Sequence, residues 1–214
     1  MRPLTEDKPK ALVQLLGRPL IDYTFDAIPD QVTEVVMVVG YRHEQLRAYL
    51  GAEFRGKKVE YVQQEKVTGT ADALRLARPL LGDGRFLTYY ADDVYTKADA
   101  EKLFEHQYAI LVAEVENPKV FGVVELAADN HIVSFEEWPE KPKSNLVSAG
   151  IMLLDDTIFR YEAPIHPTKG ERCLPDLVLG LMADAPVYGV RATRWIPIGY
   201  PEDLERATQM LERS

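Results

Sequence analysis

The chain has 214 residues and carries 34 acidic against 25 basic side chains, a net charge of −9 at pH 7. That balance argues against nucleic acid as the main partner, since phosphate backbones are bound through clustered lysine and arginine, and the longest basic cluster, Arg55-Gly56-Lys57-Lys58, is short. At roughly 150 residues per domain, the length points to one large domain or one domain with a small appendage, and a chain of this length buries enough surface to fold without disulfide or metal.

The one cysteine, Cys173, excludes an internal disulfide and a cysteine-only zinc cluster. It is read as packed rather than reactive and suits a reducing cytoplasm. No apolar run approaches the ~20 residues of a membrane span. Met1-Arg2-Pro3-Leu4-Thr5-Glu6-Asp7-Lys8 has no apolar segment behind its charge, as a signal peptide has. A cytoplasmic protein without membrane contact is expected.

Along the chain, apolar periodicity predicts a helix over 20–28, a strand over 34–39, a helix over 43–50, a strand over 58–62, a helix over 70–80, a strand over 86–90 and a helix over 98–105. This alternation is what a mostly parallel sheet with crossover helices requires. Strands over 109–115, 122–126, 132–136 and 148–154 then follow one another, with turns at Asn117-Pro118 and Asp129-Asn130, which indicates a mixed or antiparallel β-rich portion over about 109–154. A helix over 174–182, a strand over 187–190 and a helix over 201–211 complete the pattern. The fold class is α/β. No internal repeat, low-complexity tract or Gly/Ser linker divides it, so residues 1–214 are read as a single domain.

Within that frame, Asp92-Asp93 follows a strand at the carboxyl end where open α/β sheets bind ligands. A carboxylate there suits Mg²⁺, which takes one or two protein oxygens together with water and substrate phosphates; the plain alternative is a solvated loop pair. Lys8 and Lys10, around Pro9, can neutralise phosphate or simply be exposed. Gly69 either permits a close backbone approach or ends a turn. Thr70 is expected to cap the helix that follows, leaving free N–H groups for an anion or a base edge. None of the four histidines stands at a metal-ligand spacing from another, and no nucleophile elbow, P-loop or dinucleotide fingerprint is present.

Arg2-Pro3-Leu4-Thr5, then Lys8-Pro9-Lys10-Ala11-Leu12 and Gly17-Arg18-Pro19-Leu20-Ile21, resemble the opening of the sugar-1-phosphate nucleotidyltransferases, also called nucleotide-sugar pyrophosphorylases. The likeness continues in order through Val38-Val39-Gly40-Tyr41, Tyr61-Val62-Gln63-Gln64, Gly69-Thr70-Ala71, Phe121-Gly122-Val123-Val124, Ser144-Asn145, Ala149-Gly150-Ile151 and the segment from Trp195 to Leu204. Each motif is weak alone and the ordered set is strong. The resemblance implies a Rossmann-like fold, with a mixed, mostly parallel sheet flanked by helices. It also implies a reaction in which a sugar 1-phosphate oxygen attacks the α-phosphorus of a nucleoside triphosphate and releases pyrophosphate. UTP or dTTP with glucose 1-phosphate is favoured, and mannose 1-phosphate with GTP remains open. Carried over by position, Lys10 contacts phosphate, Gln64, Gly69 and Thr70 the base, and Asp92 Mg²⁺. Gly122, Glu137, Asn145 and Gly150 line the sugar pocket.

The departures fall on charge-handling positions. Family members begin with a hydrophobic strand and a Gly-x-Gly-Thr-Arg loop around the triphosphate, and this sequence starts just after that arginine. The missing strand is a central one, so two unpaired edges are expected. Trp138 stands for the lysine of a Glu-Lys-Pro motif, and Pro197 for the second metal-binding aspartate. Two function classes follow: an active nucleotidyltransferase, or a catalytically impaired homologue that binds nucleotide or nucleotide sugar. The expected quaternary arrangements are a homodimer or a pairing with an active paralogue.

Overall fold

The computed structural model describes Met1 and residues 3–213. A 3₁₀ turn at Lys10–Leu12 leads into a tight hairpin of β1 (Gln14–Leu15) and β2 (Arg18–Pro19), turned by Leu16 and Gly17, both at positive φ. Two-residue loops with both φ positive match the twist of paired strands. There follow α1 (Leu20–Asp26), β3 (Glu34–Val39), α2 (His43–Leu50), β4 (Glu53–Phe54), β5 (Lys57–Gln63), α3 (Thr70–Ala77), β6 (Arg85–Thr88) and α4 (Lys97–Lys102). The second half contains β7 (Ala109–Glu114), β8 (Gly122–Leu126), β9 (Ile132–Glu137), β10 (Leu146–Asp155), α5 (Leu174–Asp184), β11 (Tyr188–Arg191) and α6 (Pro201–Glu212). All the longer strands and helices expected from periodicity are present. The very short β1, β2 and β4 were not foreseen, because two residues show no period. The helix expected over 70–80 gives way to a 3₁₀ turn at Arg78–Leu80, since Pro79 has no N–H to donate to the carbonyl four residues back.

The strands form two main sheets. In the smaller, β3 pairs in parallel with β5 and β4 hooks back antiparallel on β5. In the larger, β10 is the spine: β7 lies along one side, and the other side is divided between β8 near its start and β6 near its end. β11 extends the sheet beyond β7 in parallel, and β9 beyond β8 antiparallel. Among the described residues, no strand pairs with the remaining edge of β3 or of β6. The strands over 109–155 are therefore part of the main sheet, with β7 and β10 at its centre.

Burial follows this layout. Nine of the ten residues of β10 are buried, as a strand covered on both faces requires, and its run Leu146-Val147-Ser148-Ala149-Gly150-Ile151-Met152-Leu153-Leu154 is accordingly apolar without strict alternation. One face packs with α3 and α5 through Leu74, Leu177, Val178 and Leu181, and the other with α4 and the turn after it through Ala100 and Leu103. A separate cluster of Ile21, Phe25, Met37, Val39, Leu46 and Val59 joins α1 and α2 to β3 and β5. The α6 helix closes the molecule through Ala207 against Val13, Leu15, Ile196 and Ile198.

Candidate active site

β10 is irregular between Ser148 and Met152, and Gly150 lies inside that irregularity at φ 88°. A bulge that needs positive φ is a position for glycine. Here the absence of a side chain has a second use, because a Cβ would overlap the Tyr90 ring, which lies against the bulge. Tyr90 belongs to the segment that leaves β6 for Asp92, and it is within electrostatic reach of Asp92, Asp93 and Glu137. The bulge thus aligns the end of β6 with the end of β9. Tyr90 was not foreseen as a site residue; the available signal was an aromatic residue directly before Ala91-Asp92.

Asp92 and Asp93 are adjacent in sequence and have different tasks. The Asp92 carboxylate is partly exposed and forms an ion pair with Lys10 Nζ at 2.7 Å, so the expected phosphate lysine and the expected metal aspartate are brought together. Asp93 is buried, and its two oxygens accept hydrogen bonds from Trp195 Nε1 at 3.0 Å and the Ile198 backbone N–H at 2.9 Å. Burial pushes its carboxyl up to about 6, with the Asp92 charge adding to the effect, while those hydrogen bonds pull the other way. Asp93 therefore anchors the Trp195–Gly199 segment, and Pro197 within that segment offers no side-chain ligand atom. Beside the pair opens a cavity of 710 Å³ lined by Thr5, Glu6, Lys8, Lys10 and Tyr41 among others.

Just past the end of β5, Gln64 Nε2 donates to the Gly69 carbonyl at 3.2 Å, placing these two expected base contacts side by side. The structure corrects the role of Thr70. Gly69, at φ 114°, is the residue before the helix, and Thr70 is its first helical residue. Thr70 Oγ1 instead accepts from the Leu174 N–H at 2.9 Å, at the start of α5. The Ala71 N–H is also occupied, by the Arg172 carbonyl at 3.0 Å, so this helix start presents fewer free donors than expected. Gly69 serves close approach: a Cβ there would overlap the Arg172 backbone.

On the other side of Tyr90, Gly122 and Glu137 are cross-strand neighbours in the β8–β9 ladder. A Cβ on Gly122 would stand 2.5 Å from Glu137 Oε2 and 2.6 Å from the Phe135 ring, so glycine leaves room for that carboxylate. Burial, and secondarily the charge of Asp176, push the Glu137 carboxyl up to about 7. Cys173, close enough to feel Glu137, is buried, and its thiol is pushed up to about 12, which leaves it protonated and unreactive as read from the sequence. Asn145 stands apart. Its side chain is exposed, and its recorded bond is through its carbonyl, which accepts from the Val115 N–H at 3.0 Å.

The donor set tests the expected metal. Among the described residues no three acidic, histidine or cysteine side chains converge on one point. Asp93 is committed to protein donors, so one carboxylate, Asp92, is available. That fits a cation whose other ligands are water and substrate phosphates, and it does not fit one held by protein alone.

Comparison with known proteins identifies the family and the fold. The sequence pattern of the family described as nucleotidyl transferase matches residues 1–214. This chain belongs to that family. It is 33% identical over 213 residues to the bifunctional protein GlmU of Methanocaldococcus jannaschii, covering 99% of this chain and 51% of that protein. The chain thus spans about half the length of the GlmU proteins it matches. It is 30% identical over 224 residues to the UTP–glucose-1-phosphate uridylyltransferase AglF of Haloferax volcanii, covering 99% of this chain and 91% of that one. Its fold matches a UDP-glucose pyrophosphorylase solved with UDP-glucose at a TM-score of 0.87, with 20% identity over 100% of this chain and 94% of the other. The family is that of the sugar-1-phosphate nucleotidyltransferases, and the fold is their Rossmann-like one. No helix among the described residues is long and apolar enough to cross a membrane.

Proposed function

We propose that this nucleotidyltransferase moves a nucleotidyl group from a nucleoside triphosphate, UTP or dTTP before others, to a sugar 1-phosphate, glucose 1-phosphate before others. The observation that supports it best is the Lys10–Asp92 ion pair, with Asp92 and Glu137 both within electrostatic reach of Tyr90 and with Gln64 bonded to Gly69 at the start of α3. The similarity to AglF, named for UTP and glucose 1-phosphate, favours that pair of substrates.

In this reading an oxygen of the sugar phosphate forms a bond to the α-phosphorus while the bond to the bridging oxygen of the β-phosphate breaks, and pyrophosphate departs with that electron pair. The chain's contribution is positioning and charge neutralisation rather than covalent help. Lys10 exchanges Asp92 for phosphate oxygens, Gln64 holds the base edge, and Glu137 accepts hydrogen bonds from sugar hydroxyls. Asp92, released from Lys10, would hold a divalent cation, Mg²⁺ being the one proposed, whose chemistry is to offset phosphate charge. Residues 1–214 are proposed to act in the cytoplasm as one nucleotidyltransferase domain, with a homodimer as the proposed assembly.

A second reading rests on Pro197 and on the commitment of Asp93: with one free carboxylate and no lysine at Trp138, the chain is a binding homologue with little turnover, paired with an active paralogue. Pyrophosphate release, measured with Mg²⁺ for UTP, dTTP, GTP, CTP and ATP against glucose 1-phosphate and mannose 1-phosphate, separates the two. Turnover that falls by about 10²-fold or more in Asp92→Asn supports the enzyme. Tight nucleotide binding by calorimetry without turnover supports the binding homologue.

A further inference from the structure

Lys10 and Asp92 meet from two segments whose backbones are both held in place. Lys10 opens a 3₁₀ turn in which the Leu12 N–H donates to the Pro9 carbonyl and the Val13 N–H to the Lys10 carbonyl, each at 2.9 Å. Ala11 of that turn is buried. Asp92 stands directly before Asp93, whose carboxylate is held by Trp195 and Ile198. The next residue, Val94, is bridged to Ile196, donating its N–H at 3.1 Å and accepting at its carbonyl at 3.0 Å. Between these anchors, the part left free to move is the flexible four-carbon stem of Lys10.

The pair itself is partly open to solvent, with the two side chains 30% and 27% exposed at a separation of 2.7 Å. Among the described residues, neither group has a second ion-pair or hydrogen-bond partner. The Asp92 charge is therefore offset by one ammonium, and a divalent cation approaching the carboxylate meets a positive charge already in place. Like charges at such separations repel strongly even near a protein surface. One carboxylate is also too few ligands to hold such a cation by itself. On its other flank Lys10 lines the 710 Å³ cavity, where Lys8 and Lys10 stand against a single acid, Glu6. A polyphosphate entering there changes both conditions at once. Its several charges draw the ammonium away from the single charge of Asp92, and its oxygens supply the ligands that the carboxylate lacks.

We infer that Lys10 keeps the Asp92 carboxylate closed to a divalent cation until a polyphosphate draws the ammonium away, so that nucleotide and cation strengthen one another's binding. The identity of the polyphosphate rests on the nucleotidyl-transfer reading, whereas the block by Lys10 rests on the ion pair. Because coupling between two ligands is reciprocal, nucleotide affinity rises with the cation by the same factor as cation affinity rises with nucleotide. Without nucleotide, the protein keeps Asp92 neutralised by its own lysine.

The test uses Mn²⁺ as the probe, its binding followed by loss of the free-ion electron paramagnetic resonance signal, first without nucleotide. Wild type is compared with Lys10→Met, Lys10→Arg, Lys58→Met and the double variant Lys10→Met/Asp92→Asn, each confirmed folded by circular dichroism. Lys10→Met is expected to bind Mn²⁺ about tenfold more tightly than wild type, or better. Lys10→Arg keeps the charge and should bind as weakly as wild type; so should Lys58→Met, which removes a charge from the other end of β5. The double variant should lose the gain, which assigns it to Asp92. With a non-hydrolysable UTP analogue present, and Mn²⁺ bound to free analogue subtracted, wild-type affinity should rise about tenfold or more and that of Lys10→Met by less. If Lys10→Met binds nucleotide-free Mn²⁺ no better than wild type, or if its gain survives Asp92→Asn, the proposal is overturned while the nucleotidyl-transfer reading is judged separately by pyrophosphate release. Absence of both pyrophosphate release and calorimetric binding for all five nucleoside triphosphates overturns that reading and the coupling built on it.

Discussion

Glu137 shows how one residue's surroundings decide what it can do. Its carboxyl is raised to about 7 by burial and then by Asp176, from an ordinary value of 4.5. Between those two values the folded protein holds a proton that the unfolded chain has released, so this group makes stability fall as pH rises through the window. Replacement by glutamine removes the dependence. In urea titrations, Glu137→Gln should gain on wild type by about 1–3 kcal/mol between pH 4.5 and pH 8, while losing affinity for sugar 1-phosphate. A constant difference across that range would show that the carboxyl is not perturbed. The sequence identified Glu137 through its motif, and the perturbation was not legible there, because Asp176 lies 39 positions away and reaches it only through the packing of α5 on β9. Lys10 and Asp92 are a similar case: both were named from sequence, yet their ion pair joins positions 82 apart.

At the scale of elements, the segment after β11 depends on a single buried carboxylate. Asp99, fully buried in α4, accepts from the Thr193 N–H at 2.7 Å, from Thr193 Oγ1 at 2.9 Å and from the Arg194 N–H at 3.3 Å. Burial alone would raise its carboxyl; the hydrogen bonds from Thr96, Thr193 and Arg194 outweigh burial and lower it. These bonds fix the start of the stretch whose Trp195 and Ile198 hold Asp93. Asp99→Ala leaves those donors unpaired and is expected to cost roughly 3 kcal/mol, or about 6–12 °C in melting temperature for a chain of this size. Calorimetric melting of the variant measures this, and a shift under 2 °C would refute the assignment. From sequence, Asp99 was one more acid in a helical pattern, with nothing to distinguish it from a solvated one. The elements themselves were legible because their apolar residues recur at the periods that α3, α5, β3 and β5 obey. The role of Thr70 was misread because its hydroxyl had an unforeseen partner in Leu174, 104 residues away.

For the molecule as a whole, the β10 spine lies in the sheet that holds the residues proposed for the sugar, while β3 and β5 form a second sheet with its own core. Binding of nucleotide to residues from several of these elements should stabilise the folded state as a unit. At about 100 times its dissociation constant, UTP is expected to contribute roughly 2.7 kcal/mol, a rise of about 5–10 °C in melting temperature. A thermal-shift series over the five nucleoside triphosphates would rank the base preference, and no response to any of them would contradict a nucleotide site.

By itself the sequence determined the α/β class, the order and approximate extent of the long elements, and the family. These are properties of short windows, where period, turn residues and motif order are all local. Only the tertiary structure decided that Asp93 is committed to Trp195 and Ile198, that Gly150 makes room for Tyr90, and that Lys10 pairs with Asp92. Each of these depends on which distant segments the sheet brings within contact distance, and on the loss of water around a charge or a ring once they meet.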